Sequence, residues 1–124
     1  MRTFAVTVAY EWAIRAFGAD HVSDVRVRAL RAAEEVVELA QSVGVERDLV
    51  HRLVDTVYGR PPGEPPQELG GSLLTLVVLA RVLDEDPEEL FEREVLRVLG
   101  KSPEHFARRN QEKLGLGLVG DSGQ

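Results

Sequence analysis

Cysteine is absent from this 124-residue chain. That excludes a disulfide framework and any thiolate metal site. Long apolar runs are missing too. The longest, around residues 73–80, is interrupted by Thr75 and is too short to span a bilayer. The opening segment MRTFAVTVAYEW lacks an extended apolar stretch leading to a cleavage site, so it does not read as a signal peptide. These absences point to a cytoplasmic protein with no membrane partner. An excess of positive charge is also lacking: the formal net charge is -6 and the isoelectric point is about 5.1. Such a balance argues against non-specific binding of DNA or RNA, while a nucleotide needs only a local basic cluster. No serine sits in an esterase elbow, and no glycine-rich loop is followed by Lys-Ser or Lys-Thr. His21, His51 and His105 form no spaced cluster. His105 also falls near a helix start, where a charged imidazole is disfavoured. No histidine is assigned to catalysis.

What is present is helical periodicity and its punctuation. The length suits one domain with a real core, expected over residues 1–114, followed by a flexible tail at 115–124. Phe4, Val8 and Trp12 recur four apart, which suits a packing helix over 4–17, although TFAVTV also reads as a strand. GADHVSD at 18–24 is a loop, with Ser23 or Asp24 as the cap of a second helix running to about 43 and stopped by Gly44. A third helix covers about 46–58. GRPPGEPP at 59–66 is a rigid irregular connection, and Pro66 opens a fourth helix to about 83. In DEDPEE, Asp86 caps a fifth helix, Pro87 takes its first position and Glu89 completes a capping box. Ser102 and Pro103 repeat the device for a last helix reaching about Lys113. Short connections between amphipathic helices predict an all-α protein, an antiparallel helical bundle.

Two of these helices raise a chemical question. In AAEEVVELAQ, residues 32–41, Glu34, Glu35 and Glu38 lie off the stripe formed by Leu30, Ala33, Val36, Val37, Leu39, Ala40 and Val43. Glu35 and Glu38 are three apart, Glu34 and Glu38 four apart, so all are neighbours on the helix surface. Their repulsion costs a few tenths of a kcal/mol per pair when exposed, and Arg31 is placed to offset part of it. They form either a solvated face or a shared cation site. The fourth helix, QELGGSLLTLVVLA at 67–80, is apolar nearly all round and is expected to be central. Its polar residues Glu68, Ser72 and Thr75 fall on one stripe with Gly71 beside them. A carboxylate on a buried helix is costly unless paired or bound to metal. Yet Glu68 is also in the first turn, where it favours the helix dipole, and Gly70 and Gly71 also suit tight packing. If Glu35, Glu38 and Glu68 converge, their oxygens suit Mg²⁺ or Mn²⁺.

The pair EEVVE (34–38) and ELGG (68–71), with VYGRPPGEPPQ before the second, resembles the all-α nucleotide pyrophosphohydrolases of the MazG-like superfamily. The likeness is nearer to a phage- and bacteria-borne subgroup and covers about Trp12 to Lys113. The family pattern is EExxE, a spacer, then ExxD. The resemblance implies a helical bundle of MazG-like type, assembled as a homodimer or homotetramer. It implies hydrolysis of a nucleoside triphosphate to the monophosphate and pyrophosphate with Mg²⁺. It gives Glu35, Glu38 and Glu68 as metal ligands. It gives Glu34 the task of orienting water or a second metal, and for attack by metal-activated water on phosphorus Glu38 or Glu34 is the carboxylate to align it. The fourth family position holds Gly71 in place of Asp, as is usual in the subgroup, which implies an altered site. Asp55 is the candidate replacement ligand. The alternatives for it are a surface position or a pairing with Arg52. Asp24 is a further acid, a cap or a neighbour of metal-bound phosphate. For the substrate phosphates the candidates are Arg60 in the proline turn and Arg109, Asn110 and Lys113 late in the chain. Tyr58 and Trp12 are aromatic enough to stack on a base, or belong to the core. A non-catalytic nucleotide- or protein-binding member of the same fold is the alternative, supported by Gly71.

Overall fold

In a computed structural model, residues 3–118 are described, and all the regular structure among them is helical. The elements are α1 (Thr3–Phe17), α2 (Ala19–Val22), α3 (Val25–Ser42), α4 (Arg47–Tyr58), α5 (Pro65–Val82), α6 (Pro87–Leu99) and α7 (Pro103–Gly115). The all-α class is thus observed, and TFAVTV is helix. The expected loop at 18–24 contains one short helix, α2, too brief to leave a periodic trace.

The punctuation works as local chemistry requires, with one exception. Asp24 Oδ1 accepts from Val27 N at 3.3 Å and so caps α3, while Ser23 turns back to the Ala19 carbonyl at 2.8 Å. Asp86 Oδ1 accepts from the backbone N–H of Glu88 at 2.9 Å and of Glu89 at 3.4 Å. Glu89 does not complete a capping box: its carboxylate pairs with Arg93 at 3.4 Å, an i, i+4 contact open to it on the same face. Ser102 Oγ accepts from His105 N at 3.3 Å. Gly44 ends α3 at φ 87°, with Val45 N donating to Ala40 O at 3.0 Å. Asp84 ends α5 in the same way at φ 60°, one of the few non-glycine types that tolerates the left-handed region. Its neighbour Glu85 N donates to Ala80 O at 2.9 Å. Of the tail expected to fray, residues 116–118 continue in a turn closed by Leu118 N donating to Lys113 O at 2.9 Å; residues 119–124 lie outside the described span.

The chain divides into two compact units, 3–32 with 86–118 (unit 1) and 33–85 (unit 2). In unit 1, α1 packs on α2, α6 and α7. Ala16, Val98 and Phe106 form its buried centre, with Trp12 and Phe17 packed against them. The three rings meet edge to face: Trp12–Phe106 centroids are 4.9 Å apart and Trp12–Phe17 5.7 Å. Such pairs contribute about 0.5–1.5 kcal/mol each beyond their burial. Trp12 is therefore core. Val27, 1 % exposed, is the most deeply buried side chain described.

Unit 2 is built differently. Ala80 is its one buried residue, and every residue from 51 to 78 is exposed. α5 is therefore not a buried central helix within the single chain. Its apolar circumference faces outward, as do Val36 and Val37 of α3 and Leu53, Val54 and Val57 of α4. The bundle expected of these helices is not closed within one chain.

Candidate functional site

The acidic turn of α3 forms because ALRAAEEVVELAQ is rich in good helix formers and free of Gly and Pro until Gly44. Glu35 and Glu38 are exposed and Glu34 is half-buried. Among the described residues neither Glu35 nor Glu38 has a side-chain hydrogen bond or ion pair. Arg31, expected to offset them, instead sends Nη1 to the Leu118 carbonyl at 2.9 Å.

Glu68 stands in the first turn of α5, after an N-terminus that Pro65 and Pro66 predispose to helix and Glu64 leaves without a side-chain cap. Its side chain folds back over Gly63. A Cβ at Gly63 would meet the Glu68 carboxylate directly, with Cδ at 3.1 Å and Cγ at 3.3 Å. The proline loop thus gives the carboxylate a place against bare backbone. The rest of the polar stripe is satisfied locally: Ser72 Oγ donates to Glu68 O at 2.9 Å and Thr75 Oγ1 to Gly71 O at 2.8 Å. Those hydroxyls need no ligand. Gly70 and Gly71 face open space, with nothing within 4 Å of where a Cβ would stand. Close packing against another helix of this chain therefore does not explain them. Asp55 and Arg60 are exposed, and Asp55 makes no ion pair with Arg52 among the described residues. Tyr58 is 86 % exposed.

Among the described residues no three acidic or histidine side chains gather closely enough to hold a metal ion. Glu35 and Glu38 share a face and supply the hard oxygens that Mg²⁺ takes. Within one chain they do not constitute a full ligand set.

Unit 1 carries a basic cluster that the sequence reading passed over. His21 on α2 lies beside Asn110 on α7 and within electrostatic reach of Arg28 and Arg31 on α3. Burial first, then the two guanidinium groups, push the His21 imidazole below its usual range, against smaller opposite effects of Asn110 and Asp24. Burial and Arg31 likewise lower Arg28, whose guanidinium lies 5.1 Å over the Phe17 ring. Asn110 was among the expected phosphate residues. Arg109 is exposed, and Lys113 is half-buried and engaged. The signal that could have found the others was Arg28 and Arg31 three apart on one face in VRVRALR.

A groove of about 470 Å³ opens between α1 and α6, lined by Phe4, Ala5, Val8, Val95, Leu96 and Leu99, with Glu92 its one ionisable group. It lacks the convergent polar groups that a nucleotide needs. Among the described residues no single helix is long and apolar enough to cross a membrane. No family model, curated protein or solved structure matches the chain.

Proposed function

We propose that the protein is a cytoplasmic, metal-dependent nucleotide pyrophosphohydrolase of MazG-like type, working as a homodimer or a dimer of dimers. The reading is carried by the acidic turn of α3: Glu35 and Glu38 stand unpaired and exposed beside an apolar surface too large to be left in water. Glu68, held over Gly63 at the head of α5, is the third carboxylate of the set. A second copy covers the outward faces of α3, α4 and α5, and the ligand set is complete only in that assembly. Unit 2 supports this on charge as well. It holds ten acidic and four basic side chains, so the whole formal charge of -6 falls on it and unit 1 is neutral. Two such surfaces repel each other, and a divalent cation between carboxylates relieves that repulsion. A bound Mg²⁺ would supply charge neutralisation on the phosphates and a more acidic water. Glu34 and Glu38 align that water, Asp55 is a further oxygen ligand, Arg60, Arg109 and Lys113 are the candidate counter-charges to phosphate, and Asn110 is a neutral hydrogen-bond donor to it.

Pure protein incubated with a panel of nucleoside triphosphates and Mg²⁺ or Mn²⁺ tests the reading. Release of pyrophosphate, lost in Glu38→Gln without loss of fold, is the expected result. No pyrophosphate from any nucleotide, with folded protein, would reject it. Gly71 favours the second reading, a nucleotide- or protein-binding protein without turnover, because glycine offers no side-chain oxygen. Calorimetry that finds nucleotide binding but no divalent-metal binding would select that reading instead.

A further inference from the structure

His21, Arg28, Arg31 and Asn110 come together in unit 1 from three elements, and each is half-buried. The His21 ring shares a side-chain hydrogen bond with Asn110, but three nitrogens of this group, His21 Nε2, Arg28 Nε and Arg31 Nη2, are covered from solvent and have no hydrogen-bond partner among the described residues. A covered polar group without a partner costs roughly 1–3 kcal/mol. Three at one place is an unusual concentration for a folded protein. Among the described residues Asp24 is the one carboxylate acting on His21 and Arg28, and its Oδ1 accepts the cap bond from Val27 N at 3.3 Å. Arg28 is held in place by the Phe17 face. Arg31 divides its fork, giving Nη1 to the Leu118 carbonyl at an exposed position and leaving Nη2 unused.

We propose that these four side chains form a binding site for a phosphoryl group. Two guanidinium groups, an imidazole and an amide offer more donors than the two oxygens of a carboxylate accept. A phosphoryl group brings at least three tetrahedral oxygens and up to two negative charges, and the fork of arginine matches its edges. Its oxygens would meet the unpartnered nitrogens, and its charge would offset the mutual repulsion of Arg28 and Arg31. Arg31 gains the ligand by giving up one exposed bond to Leu118. The same chemistry fits inorganic phosphate, pyrophosphate and the 5′-phosphate of a mononucleotide. The site shares only Asn110 with the hydrolase reading, uses none of the carboxylates of unit 2 and needs no turnover, so it stands or falls separately from that reading.

The full-length protein, free of divalent metal, is titrated by calorimetry with phosphate, pyrophosphate and a nucleoside monophosphate, while NMR follows the His21 ring. Saturable binding of at least one of them is expected, with the His21 titration moved upward by the bound anion. Arg31→Gln weakens that binding about tenfold or more. Arg28→Lys, which keeps the charge and loses the fork, does the same. Arg26→Gln, exposed on the same helix, changes it less than about twofold. Thermal melting checks each fold, and Arg31→Gln decides if Arg28→Lys fails to fold. Preference for pyrophosphate or for the monophosphate tells which phosphoryl source the site takes. No saturable binding of any of the three by folded protein would overturn the site, as would equal losses from Arg26→Gln and Arg31→Gln.

Discussion

Unit 1 and unit 2 solve the problem of burying a helix in opposite ways. Unit 1 sets three aromatic rings edge to face around Ala16 and Val98 and so closes a core of its own. Unit 2 contains no buried aromatic residue, buries only Ala80, and turns the apolar faces of α4 and α5 outward. Their helix starts differ in the same sense. α6 and α7 in unit 1 are capped by Asp86 and Ser102 side chains. α4 and α5 in unit 2 begin at Glu46 and Glu64, neither of which makes a cap bond. The contrast separates a part that closes its own core from a part whose apolar faces are exposed in the single chain.

The largest effect is expected from breaking the outward face of unit 2. Leu73 and Val77 lie four apart on α5 and are both exposed in the single chain. Leu73→Glu with Val77→Glu would be nearly harmless if that face met water. Under a second copy, each carboxylate is buried without a partner, at roughly 3–5 kcal/mol. Two are comparable to the whole association energy of a micromolar dimer, about 8 kcal/mol. Light scattering should therefore show the wild type as a dimer or larger and the double variant as a monomer. A monomeric wild type at micromolar concentration would remove the second copy from the account.

Phe106→Ala attacks the other side of the comparison. Phe106 is 8 % exposed and touches both Trp12 and Phe17. Deleting such a ring costs about 3–5 kcal/mol. Urea unfolding should show that loss, and near-ultraviolet circular dichroism should lose the Trp12 signal. A loss below about 1 kcal/mol would mean that unit 1 is not the self-sufficient part.

The helix ends were legible in the sequence because they are local. Gly44, the Pro65–Pro66 entry, Asp86–Pro87 and Ser102–Pro103 each fix a boundary with groups a few residues apart. The acidic turn of α3 was legible for the same reason. What escaped depends on contacts between elements distant in the chain. Trp12 shows whether it is core or stacking platform only when α7 brings Phe106 to it. His21 read as an isolated histidine, because Asn110 and the two arginines reach it only after α2, α3 and α7 have docked. The nearly all-round apolar pattern of α5 implies a buried central helix, and the single chain leaves that helix exposed. The pattern does not state whether the cover comes from the same chain.

The capping contrast predicts a smaller and sharper difference. Asp86→Ala should destabilise the protein by about 1 kcal/mol, since two backbone N–H groups lose their acceptor. Glu64→Ala, at the start of α5, should change stability by no more than about 0.5 kcal/mol, since no cap bond exists to lose. Equal losses in denaturant titrations would erase the distinction between the two units at their helix ends.

The smallest effect belongs to His21, and it ties stability to the basic cluster of unit 1. Its pKa in the folded chain is lowered from the ordinary value of 6.5, by burial first and then by Arg28 and Arg31. As pH falls through the unfolded value, the unfolded chain takes up a proton that the folded chain resists. Stability from this group is therefore complete above pH 6.5 and is lost as the solution becomes more acidic. His21→Gln keeps a polar side chain and removes the titration. The melting temperature of the variant should gain on that of the wild type between about pH 7.5 and 5.5. Partial solvent exposure screens the interaction and keeps the gain small. Pyrophosphate in the buffer should shrink the gain further, because an anion beside Arg28 and Arg31 makes the imidazolium tolerable. A pH-independent gap between variant and wild type would show that burial and the two guanidinium groups together do not lower the His21 pKa. A gap that ignores pyrophosphate would show that the anion binds elsewhere.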